Sequence, residues 1–239
     1  MAYRPSAGKI AGNVIKAFLY SIIALIVIFF VWRIWFSTNI PDNVEQLVIT
    51  DSLIEAYNNT DGELYAFNQD QYTITRAEEN YGYFSIEQYV IIPEARQVQI
   101  IFRYNNSTIE KIAEKYNLGK IEDRTQQLFE VTLVKTEDMT PDISTDNYDE
   151  SKLIKTRYHA SEVIEAHTML YNYYRIVFEN VDIDEDTFGL FADIYYVGAI
   201  NDYAEAADGT LCLYDYQMIR DDYEFESSDI KRIKKGKND

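Results

Sequence analysis

The sequence predicts a single N-terminal transmembrane helix followed by a mainly-β extracytoplasmic domain, built from two packed antiparallel sheets with one or two short helices. Three observations predict it. The stretch Ala17–Phe36, AFLYSIIALIVIFFVWRIWF, holds one charge, Arg33, in about twenty residues, enough for the roughly 30 Å of a bilayer's hydrocarbon core. Beyond it apolar residues recur with period two, most clearly at Val98, Ile100, Phe102 and Tyr104. The chain also carries 21 Tyr and 12 Phe, and a tyrosine suits a strand because its ring can be buried while its hydroxyl reaches water.

Within the span, Arg33 lies near the end, where its methylenes can stay in hydrocarbon and its guanidinium can reach the headgroups. Trp32, Trp35 and Phe36 form an interfacial aromatic belt at that level. Arg4, Lys9 and Lys16 precede the span, and no Lys or Arg follows Arg33 until Arg76, so the expected orientation puts the N-terminus in the cytoplasm and the C-terminal domain outside. Bulky residues run on into FSTNIPDN, which favours an uncleaved signal anchor over a cleaved signal peptide. The expected division is a cytoplasmic tail over 1–16, the anchor over 17–36, a stalk over 37–50, a β-domain over 51–226 and a basic tail over 227–239.

Inside the domain, Ser52 with Glu55 and Ser107 with Glu110 have capping-box spacing and predict two short helices, the second ended by Gly119. Strands are expected over 81–92 and 97–104, joined by the turn Pro-Glu-Ala-Arg, then over 128–135 and around Ile176, Ile194 and Leu213. Val98, Ile100 and Phe102 are expected on the inward face, with Gln99 opposite. The acidic stretch 136–151 reads as a long connection. A barrel fits the same alternation.

Residues 37–230 hold 13 Lys or Arg against 39 Asp or Glu, a net −26, which opposes binding to nucleic acid and to anionic headgroups. One cysteine, Cys212, excludes an intramolecular disulfide, so the core must supply stability. It lies in the apolar run TLCLY and reads as a small core residue.

Catalytic signatures are scarce. With only His159 and His167 as histidines, and no GxSxG or HExxH, nucleophilic and zinc chemistry lack their usual bases and ligands; a His159, Glu162, Glu165, His167 cluster would need a helix. Asp182, Asp184 and Asp186 in VDIDEDTFG are the one metal-like pattern. Spacing of two gathers like charges that calcium could neutralise, whereas a solvated acidic turn needs no ion. Apart from that alternative no cofactor is expected. Tyr171, Tyr173, Tyr195 and Tyr203 are the rings that could stack on a sugar, against the plainer role of covering strand faces.

The segments VQIIFRYNNSTIEKIAEKYNL and YNYYRIVFENVDID resemble small signal-anchored envelope proteins of Gram-positive bacteria. That resemblance implies an envelope location and an antiparallel Ig-like β-sandwich, and it transfers no catalytic or binding residue. The expected function is binding or scaffolding outside the membrane, with the lipid bilayer as partner through 17–36 and a protein or cell-wall partner beyond. The alternatives are a membrane-tethered carboxylate-dependent hydrolase and a carbohydrate-binding module.

Overall fold

The structure is a computed structural model that describes residues 7–62, 64, 66–70, 84–121, 127–137, 154–183, 187–199, 207–215 and 232–233. It divides into two compact units: the chain up to Asn39 with the turn Thr168–Leu170, and Ile40–His167 with the residues from Tyr171 onward.

The first unit is built on α1, Ala7–Thr38, one helix long and apolar enough to cross a membrane. None of its most apolar stretch is buried, and Phe18, Leu25, Phe30, Trp35 and Phe36 stand exposed around it. The hydroxyl of Ser21 donates to the Ala17 carbonyl at 2.9 Å, so that polar group is not left bare on the exposed surface, and the hydroxyl of the buried Ser37 donates to the Arg33 carbonyl at 2.7 Å.

The second unit begins with α2 (Asp42–Glu45) and α3 (Asp51–Asn59) and continues through β1 (Phe67–Asp70), β2 (Phe84–Ile92) and β3 (Gln97–Asn105). Then follow α4 (Asn106–Lys115), β4 (Phe129–Glu137), β5 (Ile154–His159), β6 (Glu162–His167), β7 (Tyr171–Phe178), β8 (Thr187–Tyr196) and β9 (Gly209–Asp215). Among the described residues these strands form two wholly antiparallel sheets, β1-β2-β3-β7-β6 and β5-β4-β8-β9. The inward faces of β2, β3 and β7 share one core with those of β4, β8 and β9. Phe102 lies at its centre, 5.5 Å from the Phe84 ring and stacked on Tyr174 at 6.0 Å. The buried hydroxyls of Tyr104 and Tyr174 satisfy each other at 2.9 Å. Gly209 lets β9 approach the other sheet, since a Cβ there would stand 2.7 Å from the Phe84 ring.

The turn Pro93–Arg96 falls where expected, closed by the Arg96 N–H on the Pro93 carbonyl at 2.9 Å. Both helix starts differ from expectation. Thr50, not Ser52, caps α3 by accepting from the Leu53 N–H, and Asn105 caps α4 in a reciprocal box with Thr108. α4 also ends before Gly119: Asn117 takes a φ of 50°, and the Leu118 N–H returns to the Ala113 carbonyl at 2.8 Å.

Two departures matter more. Where a stalk is expected, Ile40–Thr50 lies as a strap over the outer face of the five-stranded sheet, with Val44, Leu47 and Val48 buried. As a result Gln99, expected outside, has no exposed surface. The alternation on β3 is as expected, but both faces of the strand are covered.

Candidate functional site

The acidic triplet is only partly described. Asp182 is exposed and pairs with Arg96 (Nε to Oδ1, 2.6 Å), while its carbonyl accepts from Lys135 Nζ at 2.7 Å. Asp184 and Asp186 lie outside the described residues. Among the described residues no group of three or more His, Cys, Asp or Glu side chains could hold a metal ion. The two histidines are on strands of different sheets rather than on one helix, His159 in β5 and His167 in β6. His167 Nδ1 meets Asn172 Oδ1 at 2.7 Å, and His159 Nδ1 lies 3.4 Å from Glu130 Oε1.

Of the four candidate tyrosines, Tyr173 is fully buried and Tyr195 nearly so, and Tyr171 has the Arg103 guanidinium 4.3 Å above its ring. Tyr203 lies outside the described residues. The three described rings, Tyr171, Tyr173 and Tyr195, are occupied by the protein. Cys212 sits in β9 opposite Phe191, and its side chain is not described.

Among the described residues one carboxylate is buried, and its partners give it a structural task. Asp208 accepts from Lys115 Nζ (2.6 Å), the Tyr116 hydroxyl (2.8 Å) and the Tyr196 N–H (2.6 Å). It therefore ties α4 to the end of β8. Burial works against the Lys115 charge, but the Asp208 hydrogen bond and charge outweigh it and raise the lysine pKa. Burial, followed by Asp208, raises Tyr116.

Among the described residues the sheets end on β1, β6, β5 and β9, and of these edge strands only β5 carries Lys or Arg. It is an edge strand, paired only to β4 among the described residues, and Lys155, Arg157 and His159 along it are exposed. Register fixes which groups point outward. The Val197 N–H bonds the Leu128 carbonyl, so even-numbered β4 residues turn their main chain to β8 and odd-numbered ones turn theirs to β5. Leu133 and Lys135 thus bond Tyr158 and Thr156, and the main-chain groups of Lys155, Arg157 and His159 face the open side. Arg103, Lys115 and Lys135 each have a carboxylate within 2.7 Å. Among the described residues Lys155 and Arg157 make no ion pair.

Sequence reasoning left 154–159 unassigned. The usable signal was the period-two placement of Lys155, Arg157 and His159 against Ile154, Thr156 and Tyr158, which is polar on one face and mixed on the other.

Compared with protein families, with curated proteins and with solved structures, the chain matches none.

Proposed function

We propose that this chain is a single-pass membrane protein whose N-terminus is cytoplasmic and whose Ig-like domain works outside the membrane by binding or scaffolding. The observation that carries the reading is the strand order. Taking β2, β3, β7 and β6 as A, B, E and D, and β5, β4, β8 and β9 as C′, C, F and G, reproduces the two sheets of an immunoglobulin sandwich, with β1 added outside A. In that arrangement C′ is an edge, the kind of element that recruits another chain through main-chain bonds.

Placement of the domain outside rests on the basic flank before α1 and on the exposed apolar surface of that helix. Binding is favoured over hydrolysis because the carboxylates Glu87, Glu137 and Asp208 are each held by a cation at 2.6–2.7 Å. The test is cross-linking of the full chain in intact cells with a membrane-impermeant amine reagent. A binding module gives discrete heavier adducts that survive solubilisation and washing; monomer alone contradicts the reading.

A further inference from the structure

From the β5 edge, paired only to β4 among the described residues, we infer that the partner is an extended protein segment alternating acidic and apolar residues, which adds to the four-stranded sheet as a strand beside β5. This rests on the binding reading above and names the chemistry of the partner.

Three observations fix that chemistry. First, the outward main-chain groups of Lys155 and Arg157 supply the donors and acceptors an added strand needs. Second, residues directly across an antiparallel pair share a face, so positions two apart on the incoming strand lie against Lys155, Arg157 and His159. Lys155 and Arg157 are cations without an ion pair among the described residues, in a domain where acids outnumber bases 39 to 13. Carboxylates are their complement. Third, the intervening positions lie against Ile154, which is 44% exposed, and half-buried Tyr158, which packs on the core. Apolar side chains there would extend that core over Ile154.

A second copy of the chain is disfavoured as occupant through this edge. Antiparallel pairing of β5 with itself would set Lys155 and Arg157 against the same cations of the other copy. Repulsion by the −26 domain also opposes diffuse adsorption of an acidic segment, so saturable binding of one points to a local site.

The experiment is fluorescence anisotropy of a labelled nine-residue peptide alternating Glu and Val, titrated with the full chain in detergent micelles. Binding is expected to saturate, to weaken with salt, and to be absent for the Lys–Val counterpart. The double variant Lys155→Glu, Arg157→Glu, altered only at exposed positions, is expected to lose at least about tenfold in affinity, whereas Lys120→Glu at another exposed site leaves it unchanged. Arg157→Pro, which removes an outward N–H, should bind more weakly than Arg157→Ala. Equal binding to the double variant, equal binding of the Lys–Val peptide, or a dimer abolished by the same substitutions would overturn the proposal. Cross-linked adducts in cells that persist unchanged in the double variant would overturn the edge alone and leave the binding reading standing.

Discussion

Gln99 grips the main chain of Val48 from both sides: its Oε1 accepts from the Val48 N–H at 3.0 Å, and its Nε2 donates to the Val48 carbonyl at 2.8 Å. The amide's remaining capacity is also filled, since Oε1 accepts from Arg175 Nη1 at 3.0 Å and Nε2 donates to Gln97 Oε1 at 3.1 Å. One side chain thus stands in for a strand neighbour and fastens the strap to the sheet. Removing it leaves buried main-chain groups unpaired, at about 1–3 kcal/mol each. Gln99→Ala is therefore expected to destabilise the domain by about 2–4 kcal/mol, against about 3–5 kcal/mol for Phe102→Ala in the shared core. Urea unfolding of the full chain in micelles measures both. A near-zero cost for Gln99→Ala would mean that the strap is not held there.

Arg175 holds the same strap by a different chemistry. Its guanidinium is buried and donates to the Val44 carbonyl at 2.5 Å, to the Glu45 carbonyl at 2.6 Å and to Gln88 Oε1 at 3.2 Å. The carbonyls belong to the end of α2, where a cation is favoured. Arg175→Met keeps the stem and loses the fork, and should cost about 3 kcal/mol. Hydrogen exchange at the Val48 N–H should accelerate, while exchange at the core strand β4 rises by no more than the loss of global stability accounts for. Undisturbed protection at Val48 would contradict the latch.

Alkali should unfold the domain. Burial, then Asp193, pushes Tyr195 up to about 12, and Lys115 is also raised, so the folded state keeps protons that the unfolded chain releases from about pH 10. Stability from these groups is present below the unfolded values and is lost as pH climbs through the folded ones. Melting temperature is expected to fall between about pH 10 and pH 12, less steeply in Tyr195→Phe. A flat profile over that window would contradict the burial of Tyr195.

Calcium and sodium at matched ionic strength are expected to raise the melting temperature alike, by screening an acidic surface. A dedicated site held at a hundred times its dissociation constant would add about 2.7 kcal/mol. A calcium-specific rise abolished by Asp184→Asn with Asp186→Asn would assign a metal role to the triplet despite the Asp182–Arg96 pair.

The parts of the fold legible in the sequence are those where one face is apolar and the other polar. The Val98, Ile100, Phe102 alternation placed β3, and the uninterrupted apolar run placed α1, because in both cases composition reports the surroundings directly. Gln99 misled for the same reason: a polar residue that is fully hydrogen-bonded can be buried, and its partner Val48 lies about fifty positions away in a segment that local pattern reads as a stalk. The edges were missed because β5 and β6 bury little, so Lys155 and Glu162 carry no periodic apolar signal. At the end of the chain Ile233, within the stretch expected as a basic tail, is buried at 1% exposure. A charge run hides a single apolar anchor from any averaged reading.

The central claim, a domain held outside the membrane by α1, is tested most directly by protease treatment of intact cells producing the full chain with an epitope at the N-terminus. The account predicts that the domain is digested while a tagged fragment of the tail and helix survives. A full-length chain that stays protected until the cells are lysed would contradict it.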